Sequence, residues 1–196
     1  TGWLGADNDS LFVQAFERNG IKDAMVRLPG NTRTNVKIVD NEAGESTDVN
    51  LPGIKLDAGE QAKDELILAE RIEALARPGD WCEFGGSLPP GITVDIWLRL
   101  AKLLVNKGVN IVIDVAGSQL GQILKRWPKE VSSTIGPVMI KPNRPELEEL
   151  VGRPLKHDHN EVLKAAEELR DGGVQRVVVS MGAEGALIIG PEGRWL

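Results

Sequence analysis

The chain has 196 residues, a formal net charge of -6, 41% hydrophobic and 27% charged residues, and a single cysteine, Cys82. That length suits one domain with some excess and a core built without staples, and one cysteine excludes a scaffold held by internal disulfides. No apolar run approaches the ~18 residues of a membrane span; no basic, apolar leader opens the chain, so a cytoplasmic location is expected; and the acidic balance argues against a non-specific nucleic-acid partner.

Leu11, Phe12, Ala15 and Phe16 recur at helical spacing after Asp9-Ser10, a plausible cap, and Asn19-Gly20 stops the helix. Residues 32–39 alternate and are β-branched, Asn41-Glu42-Ala43-Gly44 is a turn signal, and residues 47–51 resume extended chain, which predicts a β-hairpin. A helical period returns over 58–76, with Leu66, Ala69, Ile72, Leu75 and Ala76 on one face. Thereafter strands near 80–84, 109–115, 138–140, 176–180 and 186–189 alternate with helices over 93–107, 119–126, 145–151 and 160–171. Such alternation predicts an α/β fold with a mostly parallel central sheet and helices on both faces. Loops at the C-terminal ends of the strands then share one rim, where ligands bind in such sheets.

Four segments carry candidate chemistry. Phe84-Gly85-Gly86-Ser87-Leu88-Pro89-Pro90-Gly91 follows a strand and precedes a helix. It reads as a punctuated turn or as backbone brought close to a ligand, with Ser87 offering a hydroxyl. In Lys141-Pro142-Asn143-Arg144-Pro145-Glu146, Asn143 and Glu146 have capping-box spacing. The same amide and carboxylate at a helix N-terminus can organise hydrated Mg²⁺ and phosphates. Ser180-Met181-Gly182-Ala183-Glu184-Gly185-Ala186 is either a hairpin turn or a loop facing a nucleotide. Finally, residues 24–39 hold Arg27, Arg33 and Lys37 and no acid. In a regular strand Arg33, Asn35 and Lys37 share a face, which suits a phosphosugar, although an edge strand guarded by cations has the same pattern.

The remaining candidates are bland. His157 and His159, two apart in a polar loop, read as surface histidines, Cys82 as core packing, and Asp114 as a strand-end acid on the rim.

Taken in order, Thr1-Gly2-Trp3-Leu4-Gly5, Thr32-Arg33-Thr34-Asn35-Val36-Lys37, Gly86-Ser87-Leu88-Pro89-Pro90-Gly91, Lys141-Pro142-Asn143-Arg144-Pro145-Glu146-Leu147 and Ser180 to Ala186 resemble the ribokinase-like (pfkB) sugar kinases over essentially the whole chain. The likeness is strongest to the phosphosugar branch, the 1-phosphofructokinases and tagatose-6-phosphate kinases. It implies a three-layer α/β domain with a β-lid over residues 24–52. It implies ATP and Mg²⁺, and phosphoryl transfer to a phosphorylated ketohexose, fructose 1-phosphate first. Tagatose 6-phosphate or fructose 6-phosphate, an unphosphorylated sugar, and a non-catalytic sugar-phosphate-binding regulator are the alternatives.

Residue by residue, the resemblance makes Arg33 the phosphosugar ligand, supported by Asn35 and Lys37, with Gly86 and Ser87 lining the sugar site. Lys141, Asn143, Ser180, Gly182 and Gly185 fall on the nucleotide side. Asn143 and Glu146 fall on the organiser of Mg²⁺, through water and phosphate. A homodimer formed through the lid is a further implication. The family's Gly-Ala-Gly-Asp motif, which carries the catalytic Asp, does not occur in these residues. The start at Thr1 without Met and the stop at Trp195-Leu196, in what reads as a strand beginning, give the expectation of a fragment lacking both end motifs and inactive by itself.

Overall fold

A computed structural model describes residues 1–57, 59–156 and 158–196. The chain divides into two compact units, Thr1–Leu75 with Pro89–Ile92, and Ala76–Leu88 with Thr93–Leu196.

The first unit opens with β1 (Trp3–Gly5), α1 (Ser10–Arg18) and β2 (Val26–Leu28), in which β2 pairs parallel to β1. Neither short strand was legible in the sequence. Asp9 precedes α1 as expected but makes no side-chain cap bond. Its carboxylate instead accepts from Arg27 Nε at 3.1 Å. Leu11 is 74% exposed, so the α1 stripe is incompletely covered in this chain.

The predicted hairpin forms as β3 (Asn35–Asp40) and β4 (Glu45–Asn50), and every residue of both strands is exposed. Register gives the ribbon two chemically distinct faces. Val36 lies opposite Val49 and Ile38 opposite Thr47, whereas Asn35 lies opposite Asn50 and Lys37 opposite Asp48. Because side chains alternate along a strand, the first set makes an apolar patch on a face that ends at the Asp40–Glu45 pair, and the second set is polar on a face that also carries Val39.

The described part of the next helix is α2 (Gln61–Leu75), and the expected start at Ala58 lies outside the described residues. The expected apolar face is corrected here. Leu68 and Ile72, four apart, are the buried pair, while Leu66 is 58% exposed. Leu66 and Leu68, two residues apart, lie on nearly opposite sides of a helix that turns about 100° per residue, and the covered side is that of Leu68.

The second unit is a six-stranded sheet of order β10-β9-β8-β7-β6-β5. Its strands are β5 (Trp81–Gly85), β6 (Asn110–Asp114), β7 (Met139–Ile140), β8 (Arg176–Ser180), β9 (Ala186–Gly190) and β10 (Gly193–Trp195). β5 to β8 run parallel, and β9 and β10 are added antiparallel. The alternation in the sequence therefore gives the mostly parallel α/β architecture it predicts, and residues 193–195 do form a strand.

The crossovers are α3 (Asp95–Asn106), α4 (Gly117–Glu130), α5 (Arg144–Val151) and α6 (His159–Asp171). They pack in series, α3 on α4, α4 on α5 and α5 on α6. Neighbouring strands follow sequence order, so successive right-handed crossovers lay these helices in one layer. The core lies under that layer, on Ile111, Ile113, Ile140, Val177, Val179 and Ile189 from the sheet and Leu104, Leu120, Leu147 and Val162 from the helices. The second helical layer expected on the opposite face is not supplied by these crossovers.

α4 extends beyond the predicted 119–126 and runs through Pro128. Pro128 lies in its last turn and offers no N–H to Leu124 O, so the ladder loses one bond there and the helix ends two residues later. Trp127 is buried there with Nε1 donating to Ile135 O at 2.7 Å, and Arg126 forks onto Glu130. Cys82 is half-buried, and burial raises its thiol pKa, in keeping with a packing role. Among the described residues no helix is long and apolar enough to cross a membrane.

Candidate active site

In the second unit the parallel strands end together, at Gly85, Asp114, Ile140 and Ser180. The rim carries most of the residues singled out in the sequence. Past β7 the chain pairs once more, as Asn143 bridges to Ser180 and Ser180 N donates to Pro142 O at 3.1 Å. That contact brings the Lys-Pro-Asn segment and the Ser-Met-Gly segment side by side.

Asn143 caps α5 and forms both halves of a capping box. Glu146 N donates to Asn143 Oδ1 at 3.0 Å, and Asn143 N donates to Glu146 Oε2 at 2.9 Å. The structural reading of this pair is therefore real. It also fixes a carboxylate at the positive end of a helix, facing the rim.

Lys141 is held by Asp114, with Nζ 2.8 Å from Oδ2. Its pKa is raised, first by that hydrogen bond and then by the charges of Asp114, Glu83 and Glu146. Asp114 is thus more than a turn former, since it aims the ammonium. Glu83 was missed by sequence reasoning because it sits in an otherwise apolar strand with no motif around it.

Gly86, at φ 82°, starts the loop after β5 in a left-handed conformation that favours glycine. Ser87 follows it. Between β8 and β9 a short 3-10 turn spans Gly182–Glu184, and Gly185 adopts φ 92°, ψ -137°. The pairing of Ser180 with Ala186 shows that this segment is a hairpin turn, placed on the rim. His159, at the start of α6, reaches it, with Nε2 3.0 Å from Glu184 Oε2. His157 lies outside the described residues.

The cationic segment belongs to the first unit, and it is reorganised relative to the expectation. Arg27 is in β2 and forks onto Asp23, with a further bond to Asp9. The guanidinium beside Asp23 holds that carboxyl at about 2. Lys37 pairs with Asp48 at 3.5 Å across the hairpin. The acid-free window is therefore answered from outside its bounds, by Asp23 just before it, by Asp9 ahead of α1 and by Asp48 in β4.

Arg33 precedes β3, so it does not share a regular strand face with Lys37. Its backbone is closely bracketed. Thr32 N donates to Asn8 Oδ1 at 2.7 Å, Asn8 Nδ2 to Thr32 O at 3.1 Å, and Gly5 N to Thr32 Oγ1 at 2.8 Å. On the other side Leu51 N donates to Thr34 O at 3.1 Å, and a Cβ at Gly53 would stand 2.9 Å from Arg33 Cβ. Arg33, exposed as a residue, thus rises from a fixed stem.

The model of the pfkB family of carbohydrate kinases matches residues 1–195. The chain belongs to that family. It is 41% identical over 189 residues to the 1-phosphofructokinase of Rhodobacter capsulatus, covering 96% of this chain and 56% of that protein. It is 33% identical over 195 residues to the 1-phosphofructokinase of Escherichia coli K12, covering all of this chain and 58% of that protein. Among solved structures, phosphofructokinase-2 from Escherichia coli in complex with fructose-6-phosphate matches with a TM-score of 0.78 and 27% identity, over 98% of this chain and 59% of that one. The chain spans a little over half the length of these kinases.

The family's metal fits the rim only in one way. Among the described residues no group of three or more His, Cys, Asp or Glu is placed to hold an ion. A protein-only cage is therefore not offered. Mg²⁺ commonly keeps several waters and takes one or two carboxylates plus substrate phosphates, and Glu146 at the α5 N-terminus suits that partial donor set.

Proposed function

We propose that the protein carrying this chain is an ATP-dependent kinase that converts fructose 1-phosphate to fructose 1,6-bisphosphate in the cytoplasm. What carries the reading is the likeness to 1-phosphofructokinases over nearly the whole chain, at 33 to 41% identity. In the transfer, the sugar hydroxyl oxygen bonds to the γ-phosphorus while the bond to the β–γ bridging oxygen breaks; the hydroxyl proton passes to a base and ADP leaves.

The residues of this chain bind and orient. Arg33 takes the phosphate already on the sugar, supported by Asn35 and, to the extent that Asp48 releases it, by Lys37. Gly86 and Ser87 contact sugar hydroxyls. Lys141, aimed by Asp114, meets the nucleotide phosphates, and Ser180, Gly182 and Gly185 line the nucleotide side. Asn143 and Glu146 would hold Mg²⁺ through water and phosphate; bound there, the ion neutralises phosphate charge. No residue here is assigned as the general base.

A substrate panel with the full-length protein tests this. Fructose 1-phosphate is expected to give the highest kcat/KM, with ribose lower by at least about 10²-fold, because a site built around a charged ligand rejects an analogue lacking it. Equal turnover of ribose and fructose 1-phosphate would sink the assignment, and preference for tagatose 6-phosphate or fructose 6-phosphate would move it within the branch.

We also infer that the hairpin over 35–50 is a lid that pairs with a second copy. Support comes from Val36, Ile38 and Val49, which are 46%, 57% and 41% exposed on one face of a two-stranded ribbon. Such a face stays wet unless another chain covers it. Ile38→Lys is expected to shift the full-length protein towards monomer in sedimentation velocity. A dimer of unchanged stability in that variant rejects the lid contact.

A further inference from the structure

We propose that His159 is a positioning residue for the turn at 181–185, acting through Glu184. The inference rests on the reading of that turn as part of the nucleotide site. The turn is closed by its own backbone. Its backbone bonds run inside it, with Met181 N donating to Gly185 O at 2.9 Å, Glu184 N to Met181 O at 3.2 Å and Gly185 N to Gly182 O at 3.2 Å. None of the residues Gly182–Glu184 is buried, and two glycines at positive φ flank its ends. Those bonds close the turn on itself, and a side chain that ties it to a neighbouring element adds a hold from outside.

The start of α6 is rigid. Asp158 accepts from Asn160 N at 3.0 Å as a helix cap. Ahead of it, Lys156 N donates to Glu161 Oε2 at 2.8 Å, and Leu155 N to Glu148 Oε1 at 2.9 Å. Arg144, the first residue of α5, donates to Leu155 O at 2.7 Å and also to Lys156 O. The corner between α5 and α6 is thereby braced from several directions.

His159 carries that rigidity to the turn. Its Nε2 lies 3.0 Å from Glu184 Oε2. A carboxylate oxygen only accepts, so Nε2 bears the proton of this bond. The pair ties the turn to the helix that follows the Asn143–Glu146 corner. A nucleotide then meets a turn already ordered and avoids part of the ordering cost. Both side chains are about half exposed, at 48% and 56%, so the effect is modest. Exposed pairs of this kind correspond to about a two- to fivefold change in affinity.

The test uses the full-length protein with His159→Ala, Glu184→Ala and the double variant, reading equilibrium ATP binding and steady-state KM. Each single change is expected to raise the Kd and KM for ATP about two- to fivefold, with the KM for fructose 1-phosphate and the melting temperature unchanged. The double variant should be no worse than either single one, and His159→Gln, which keeps an N–H donor, should recover part of the loss. ATP binding like wild type in both single variants overturns the tether, as do single effects that multiply in the double variant. A joint loss of melting temperature and of affinity for both substrates overturns it too, in favour of a merely structural role. Wild-type protein that fails to bind ATP overturns the nucleotide reading of the rim, which separates that failure from failure of the tether.

Discussion

Arg33→Ala in the full-length protein is expected to raise the KM for fructose 1-phosphate about 10- to 100-fold while leaving the KM for ATP within about twofold. The size follows from losing a charge-assisted, forked bond to a phosphate, worth roughly 1.5 to 3 kcal/mol. The direction follows from the stem. Arg33 is exposed, and alanine retains the Cβ that stands against Gly53, so the backbone bracket of Thr32, Asn8 and Leu51 survives the change. Arg33→Lys adds a second reading. It keeps one charge but loses the planar fork, so its KM should fall between wild type and alanine. The same series on Lys37 should show a smaller effect, because Asp48 already answers that ammonium. An increase confined to ATP, or none for either substrate, contradicts the assignment of Arg33 to the sugar's phosphate.

The contrast between Arg33 and its neighbours shows what a sequence can and cannot tell. Periodicity located the helices and the parallel strands because each of those signals is local, a few residues repeating at 3.6 or alternating at 2. The capping box at Asn143 and Glu146 was legible for the same reason, since both halves lie within one turn. Charge partners are not local. Arg27 and Lys37 looked like two free cations, but Asp9 and Asp48 reach them through the fold, Asp48 by pairing of β3 with β4, while Asp23, four residues before Arg27, stood just outside the acid-free window. The same limit hid Asp114 as the partner of Lys141, because one ends β6 and the other follows β7. His159 was dismissed as a surface residue on its polar surroundings. It is on the surface, and its partner stands 25 residues away across β8. β1 and β2, at three residues each, are too short to carry a period at all. Three of the motifs, by contrast, mark the rim without any of these contacts, since Gly86–Gly91, Lys141–Leu147 and Ser180–Ala186 sit at the ends of β5, β7 and β8.

Glu146→Gln should lower kcat about 10- to 100-fold and raise the Mg²⁺ concentration needed for half-maximal rate, with little change in melting temperature. This substitution separates the two roles that the capping box leaves entangled. Glutamine at the third helical position serves a capping box as well as glutamate does, because its carbonyl oxygen can take the Asn143 N–H. The bond from Asn143 N to the side chain, 2.9 Å in the wild type, is thus retained, as is the bond from residue 146 N to Asn143 Oδ1. What is lost is the negative charge at the α5 N-terminus. If that charge organises the ion and the nucleotide phosphates through water, catalysis falls by less than the roughly 10²- to 10³-fold typical of removing a donor in direct contact with the reacting group. Glu146→Ala also removes the acceptor for Asn143 N, the reciprocal half of the box, while keeping the bond from residue 146 N to Asn143 Oδ1, and should cost a further ~0.5 to 1 kcal/mol of stability. The two variants therefore diverge in melting temperature and converge in rate. Should Glu146→Gln keep wild-type kcat and Mg²⁺ dependence while Glu146→Ala only melts earlier, Glu146 is a helix cap and nothing more. The ion would then have to be organised by groups other than this carboxylate.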